Sequence, residues 1–227
     1  MEKRSTVPAI LAFGGFDPTG GAGVLMDSRA AAAAGVHASA VVSCLTVQTT
    51  GSFSRFASVP RDVLDESLSA AARSFHLGAV KVGMVGTRAA AEAILSFVVA
   101  RRDLPLVLDP VLRSSSGAPL LSPSALPAYR RLLRRAAVLT PNLPEAEKLL
   151  DRRILSFSDA ADAAEDLSGR TGASVVLKGG HFPWRGRRGT DIVFSGGGIT
   201  LLPPVGVRRG DPHGTGCALA AAIAARI

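Results

Sequence analysis

Near the end of the 227-residue sequence, Gly210-Asp211-Pro212-His213-Gly214-Thr215-Gly216-Cys217 runs directly into Ala218-Leu219-Ala220-Ala221-Ala222-Ile223-Ala224-Ala225. A glycine-rich loop that feeds a helix can turn successive backbone N–H groups toward one point. The helix behind it adds its unpaired first-turn N–H groups and the positive end of its dipole. An anion fits there. Cys217 stands at the same point and feels the same field, which favours thiolate over thiol. The stretch therefore predicts a pocket that stabilises negative charge, with a base beside it.

A second glycine loop, Gly14-Gly15-Phe16-Asp17-Pro18-Thr19-Gly20-Gly21-Ala22-Gly23, follows the apolar run Val7–Phe13. It precedes Val24-Leu25-Met26-Asp27-Ser28-Arg29 and a block of alanines stopped by Gly35. Strand, glycine loop, helix is the layout of a ligand-binding turn in an α/β protein. The G-x-G-x-x-G spacing is absent, and no Gly-Lys-Ser/Thr follows, so the dinucleotide and Walker A readings are excluded. Gln48, just past the β-rich Ala38–Thr46, carries an amide that can both donate to and accept from a heteroaromatic ring. Asp109 closes the buried run Leu106–Val111, and in open α/β sheets ligands sit outside the carboxyl ends of strands. Asn142 ends the strand that starts at Val138. Lys178, in Leu177-Lys178-Gly179-Gly180-His181, follows another strand, where a cation is positioned for phosphate.

The elements that must position these residues alternate. Helical spacing covers Pro60–Phe75, with Val63, Leu64, Leu68, Ala71 and Ala72 on one side. Val80–Val85 reads as a strand, Thr87 as the N-cap of a helix through Ala100, and Ser122–Arg135 as a helix. Leu143-Pro144-Glu145 opens another, with proline and glutamate where first-turn residues belong. Ser158–Thr171 is helical, and Asp191–Phe194 with Ile199–Leu202 forms a hairpin around Gly196-Gly197-Gly198. Ser114–Gly117 has no assignable structure. No linker, repeat or low-complexity tract appears, so residues 1–227 are expected to form one α/β domain with a mainly parallel sheet covered on both faces.

Composition narrows the function. Hydrophobic residues make up 47% and charged residues 19%, enough for a sizeable core. Aromatics are only 5%, which leaves little to stack on bases and argues against a nucleic-acid partner. The net charge of +8 comes almost entirely from arginine pairs scattered along the chain, and reads as a solvated basic surface. Cys44 and Cys217 are the only cysteines, too few for a disulfide framework or a zinc pattern. No signal peptide opens the chain and no apolar run approaches the ~20 residues that span a bilayer. A cytoplasmic enzyme acting on a small molecule is the expectation.

Taken together, the motifs resemble hydroxymethylpyrimidine/phosphomethylpyrimidine kinases of thiamine biosynthesis, in the ribokinase-like superfamily. The carriers are Gly15–Gly23 with Asp27, Leu45-Thr46-Val47-Gln48-Thr49-Thr50, Lys81-Val82-Gly83-Met84, Leu108-Asp109-Pro110-Val111, Thr140–Glu145, Leu177–His181 and His213–Cys217, in the family's order. The resemblance implies a three-layer ribokinase-like sandwich with a small β-hairpin in its C-terminal part, and ATP and Mg²⁺ as cofactors. It implies phosphorylation of 4-amino-5-hydroxymethyl-2-methylpyrimidine and of its monophosphate. Cys217 would be the base, where most of the superfamily has aspartate, and Gly214, Thr215 and Gly216 would hold the transferring phosphate. Lys178, Asn142 and His213 would face the nucleotide, and Asp109 and Glu145 would organise Mg²⁺. Gln48 would read the ring, with Gly15, Asp27, Met84 and Val111 forming its pocket. A cysteine-type pyridoxal kinase and a non-catalytic pyrimidine-binding protein are the alternatives. Two departures stand out. The family usually continues for several helical segments beyond this point, so a reshaped ATP site or cover from a partner, such as a second copy in a homodimer, is expected. Phe16 stands where serine is common, and is expected to add bulk near the pocket.

Overall fold

The computed structural model describes residues 5–114, 116–180, 182–205 and 214–227. Among these, nine strands form one sheet. In chain order the elements are β1 (Ser5–Phe16), α1 (Gly23–Ala33), β2 (His37–Gln48), β3 (Phe53–Ser58), α2 (Arg61–Ser74), β4 (Phe75–Val82), α3 (Arg88–Ala100) and β5 (Leu106–Leu108). There follow α4 (Leu126–Leu133), β6 (Val138–Leu139), α5 (Leu143–Leu150), α6 (Phe157–Thr171), β7 (Ser174–Leu177), β8 (Asp191–Ser195), β9 (Gly198–Leu202) and α7 (Thr215–Ala224). The strand order is β3-β2-β1-β4-β5-β6-β7-β8-β9. The six strands from β2 to β7 run parallel; β3, β8 and β9 are antiparallel additions at the two edges.

The pleat sorts the core. Leu11 and Phe13 of β1, Val80 and Val82 of β4, and Leu106 and Leu108 of β5 point to one face, where α2 to α6 supply Leu64, Ile94, Leu132, Ala146 and Leu167. The neighbours Ile10, Ala79 and Val107 point the other way, onto Ala31 of α1 and Ala220 and Ala224 of α7. This second layer is built from alanines because α1 and α7 pack directly on one another over the strands. Both faces of the central strands are therefore buried, which is why these strands read as continuous apolar runs. Among the described residues no helix is long and apolar enough to cross a membrane.

Local chemistry sets the element ends. Thr87 accepts a hydrogen bond from the Ala90 N–H, as an N-cap should. Asn142 and Glu145 form a reciprocal capping box that starts α5. Two expectations need correction, and one strand went uncalled. β3 carried no sequence signal, because as an edge strand it is exposed or half-buried along its whole length and shows no clean alternation. β4 begins at Phe75, five residues before the expected start, because exposed His76 and Gly78 mask its pattern. The helix expected over Ser122–Arg135 is a 3-10 turn, Pro123–Ala125, followed by α4, whose Pro127 stands in the first turn. Around the loop from Ser114, Arg113 bridges Pro119 and the Ser114 N–H donates to the Ala118 carbonyl at 2.9 Å, closing a tight turn.

Two glycines fix how the chain passes the sheet edge. Gly23 has φ 59°, and a Cβ there would strike the Gly15 carbonyl oxygen. Gly214, the N-cap of α7, has φ 85°, and a Cβ there would strike the Gly21 carbonyl. The two glycine loops thus meet backbone to backbone.

The collision at Gly23 gives the first prediction. Gly23→Ala should cost about 2–5 kcal/mol, combining a left-handed backbone with overpacking. Gly35→Ala, with φ 78° but nothing within 4 Å, should cost only about 1–2 kcal/mol. Urea unfolding of the two variants checks the ordering; equal losses would show that Gly23 does not approach the Gly15 carbonyl this closely.

Candidate active site

The carboxyl ends of the parallel strands and the start of α7 enclose a cavity of about 850 Å³. This is where an open α/β sheet places a ligand. Gly15 at the end of β1, Gln48 at the end of β2, Asp109 after β5, Lys178 after β7 and Gly216 and Cys217 of α7 all reach its wall.

The floor is a set of buried charges. Asp109 is 1% exposed. Its Oδ1 accepts from Lys178 Nζ at 2.7 Å and from Thr140 Oγ1 at 3.0 Å. Burial alone would raise its carboxyl, but the Lys178 and Lys81 ammonium groups outweigh burial and hold it below the ordinary value. Lys178 Nζ also lies 3.8 Å from Glu145 Oε2. Burial pushes the Glu145 carboxyl up to about 7, with Asp109 adding to the rise while Lys178 opposes it. Lys81 is fully buried, and its Nζ lies 2.7 and 2.8 Å from the two Asp27 oxygens. Burial opposes the Lys81 charge, but Asp27 first, then Cys217 and Asp109, hold the proton on.

The apolar end lies between β1, β2 and β4. Met84 Sδ lies 3.1 Å from where a Gly15 Cβ would be, so any larger residue there would press on the thioether. Ser43 Oγ donates to the Met84 carbonyl at 2.6 Å and fixes that turn. Met84, Cys44 and Leu120 form a small cluster against which Phe53, Phe56 and Val111 pack. A flat ring fits a wall of this kind, with Gln48 as its polar partner.

Opposite, α7 starts with no side-chain cap, so its first N–H groups are available to a ligand. Gly216 comes so close to Lys178 that a Cβ there would lie 3.0 Å from Nζ. The expected thiolate at Cys217 is corrected. Burial raises the thiol to about 11, with Asp27 and Asp109 adding to the rise; Lys81 and a hydrogen bond from Gly23 only partly offset this. The helix field is outweighed by desolvation and by two carboxylates that sequence spacing could not show.

Other placements also differ. Asp27, expected in the ring pocket, is fully buried behind Lys81 and does not reach the cavity wall. Phe16 does not line the cavity; its carbonyl accepts from Thr46 Oγ1 and ties β1 to β2. Thr215 is exposed and contributes its backbone rather than its side chain to the start of α7. His213 lies outside the described residues. Gly15, Gln48, Met84, Val111, Asn142, Glu145, Lys178, Gly214, Gly216, Cys217 and Asp109 do line the same cavity. Sequence reasoning gave no role to Lys81, Thr140, Asp17 or Phe53. Lys81 left a signal, since a lysine inside an apolar strand is almost never buried unless paired. Thr140 and Phe53 left none.

The oxygen donors suit a hard cation. Asp109 and Glu145 flank Lys178, and among the described residues no group of three or more metal-binding side chains forms a closed cage. One or two carboxylates with water completing the shell is the manner in which Mg²⁺ is bound.

Two predictions follow from the buried charges. Lys81→Met should destabilise the fold by about 3–5 kcal/mol, because it strands the Asp27 carboxylate in the core. The double variant Lys81→Met/Asp27→Leu should recover most of that loss in urea unfolding; a double variant no better than the single would mean that the ion pair is not the cause. Glu145 gives a pH test. Its folded carboxyl binds a proton up to about pH 7, whereas the unfolded one releases it near the ordinary 4.5. Stability contributed by that proton is full below pH 4.5 and is lost as pH rises toward 7, at no more than about 1.4 kcal/mol per pH unit. Glu145→Gln keeps an acceptor for the capping box and should flatten this slope when unfolding is followed from pH 4.5 to 7.5.

Known proteins share both the sequence and the shape. The family model for phosphomethylpyrimidine kinase matches residues 17–227. The hydroxymethylpyrimidine/phosphomethylpyrimidine kinase of Aquifex aeolicus is 34% identical over 95% of this chain and 84% of its own length. The thiamine biosynthesis multifunctional protein ThiED of Corynebacterium efficiens is 34% identical over 99% of this chain, which spans only 30% of that protein. The crystal structure of phosphomethylpyrimidine kinase from Clostridium difficile 630 superposes with a TM-score of 0.82 at 26% identity, covering 96% of this chain and 90% of the other. A Staphylococcus aureus pyridoxal kinase, in complex with AMP-PCP and pyridoxal, gives 0.84 at 25% identity over 98% and 80%. The ribokinase-like sheet and the motif order agree with these matches: the chain belongs to the phosphomethylpyrimidine kinase family, kinases for which ATP is the phosphate donor.

Proposed function

We propose that the protein phosphorylates 4-amino-5-hydroxymethyl-2-methylpyrimidine, and then the monophosphate, in thiamine biosynthesis. It would act as one kinase domain in the cytoplasm. The observation that carries this reading is the opposition, across one cavity, of a ring-sized apolar wall with Gln48 and the open start of α7 with Cys217. The ring would lie on Met84 and Val111 with its amino edge toward Gln48. Its hydroxymethyl group would then reach toward Cys217.

Phosphoryl transfer asks for positioning and charge neutralisation more than for covalent help. Lys178 and the N–H groups at the start of α7 supply positive charge at one point, where the transferring phosphoryl group would sit. Asn142 lies at the mouth of the same wall, beside Lys178. Cys217 would take the hydroxyl proton, and the buried Lys81 ammonium would stabilise the sulfur whenever it is unprotonated. Mg²⁺ held by Asp109 and Glu145 would neutralise phosphate charge. Asp27 acts from behind, by keeping Lys81 charged and in place.

Pyridoxal kinases share the fold, and one solved neighbour holds pyridoxal. An exocyclic amine and a ring nitrogen match an amide such as Gln48 on both sides, which favours the aminopyrimidine. Coupled ADP release with either ring decides between them. Cys217→Ala should keep the α7 backbone N–H groups and lower turnover by about 10²–10⁴-fold, with pyrimidine affinity nearly unchanged. Full turnover in that variant would remove Cys217 as the base, and faster turnover of pyridoxal than of the pyrimidine would reassign the substrate.

A further inference from the structure

Asp109, after β5, and Glu145, in the first turn of α5, both line the cavity, and each has one oxygen held and one left open. Asp109 Oδ1 accepts from Lys178 Nζ at 2.7 Å and from Thr140 Oγ1 at 3.0 Å. Glu145 Oε2 accepts from the Asn142 N–H at 2.7 Å and lies 3.8 Å from the same Lys178 Nζ. Among the described residues nothing donates to Asp109 Oδ2 or to Glu145 Oε1. Each carboxylate therefore presents one oxygen whose lone pairs are uncommitted.

The open Asp109 oxygen faces the start of α7. Oδ2 lies 3.7 Å from where a Gly216 Cβ would stand, and Lys178 Nζ lies 3.0 Å from that same point. This is the helix start whose first N–H groups are available to a phosphoryl group. A carboxylate and a phosphoryl group repel one another at such a place unless a cation stands between them. Lys178 is bonded to the other oxygen, so Oδ2 is left for a hard divalent cation.

Thr140 decides which oxygen is open. It follows β6 directly and is fully buried. Its N–H donates to the Leu108 carbonyl at 3.1 Å, and this register brings its hydroxyl beside Asp109. The terminal torsion of an aspartate is broad, so one donor does not fix the plane of its carboxylate. A lysine on a flexible stem can follow the carboxylate as it turns. A hydroxyl fixed by the strand end cannot.

We propose that Thr140 is a positioning residue, whose hydroxyl pins Asp109 Oδ1 and so keeps Oδ2 turned toward a divalent cation at the start of α7. The inference rests on the kinase reading and adds to it what orients the carboxylate that would hold the metal.

Calorimetry with the ATP analogue AMP-PCP, in EDTA and at rising free Mg²⁺, tests it in three proteins. In the unaltered protein the affinity should tighten as Mg²⁺ rises. Thr140→Val keeps the shape and removes the donor. It should bind AMP-PCP in EDTA as the unaltered protein does, yet need about tenfold or more Mg²⁺ for half of the tightening, the usual loss when a group behind a metal ligand is removed. Thr140→Ser keeps the hydroxyl and should need no more than about threefold extra Mg²⁺. Equal weakening of Thr140→Val in EDTA and in Mg²⁺, with an unchanged Mg²⁺ requirement, would show that Thr140 only secures the strand end, and would overturn the proposal.

A second measurement needs no variant without the hydroxyl. In the unaltered, ligand-free protein the Thr140 hydroxyl proton, assigned through its labelled methyl group, should be visible by NMR and protected from exchange. A hydroxyl proton in fast exchange with water would also overturn the proposal. An unaltered protein whose AMP-PCP affinity ignores Mg²⁺ would overturn the metal part of the kinase reading and this inference with it. A Mg²⁺ requirement that is the same in the unaltered protein and in Thr140→Val would overturn this inference alone.

Discussion

Five ionisable side chains sit under the cavity, four of them buried and Lys178 partly exposed, and their signs alternate: Asp27, Lys81, Asp109, Lys178, Glu145. Each would be prohibitively costly to bury alone, and each is tolerable only because its neighbours carry the opposite charge. That requirement fixes much else. The lysines must come from the strands or strand ends of β4 and β7, the carboxylates from α1, the end of β5 and the start of α5. The parallel sheet brings these ends to one side, where Thr140 and the Asn142 N–H give a further donor to the same Asp109 and Glu145 oxygens that face Lys178. The result is a prearranged field that does not have to reorganise as charge moves, which is the usual source of catalytic advantage in such sites.

The same field explains why the cysteine behaves differently from what its place at a helix start suggests. A helix terminus supplies about half a positive charge. Against it stand removal from water and two full carboxylates, and these win. Together they shift Cys217 toward the thiol form. A sulfur that is protonated at rest is protected from oxidation, because the thiolate is the reactive form.

Much of this could be read from the chain, and the failures have physical causes. The strands β1, β5 and β7 announced themselves as apolar runs because both of their faces are covered. β3 did not, because an edge strand that is exposed or half-buried throughout needs no pattern. The wall residues Gly15, Gln48, Met84, Asp109, Asn142, Lys178 and Cys217 were reachable through motifs at strand ends. Asp27 was assigned to the right neighbourhood but on the wrong side of the wall, since sequence gives the strand end at which a residue sits and not what stands in front of it. Lys81 was quoted only as part of a motif, although a lone lysine among Ala79, Val80 and Val82 had to have a buried partner.

The meeting of Gly214 with Gly21 joins the first crossover of the chain to its last helix. A chain still on the ribosome, with α7 not yet emerged, can pair the strands β1 to β7 but lacks the α7 N–H groups and Cys217 that line the cavity. The cavity wall is therefore complete only once α7 has docked on the loop that follows β1.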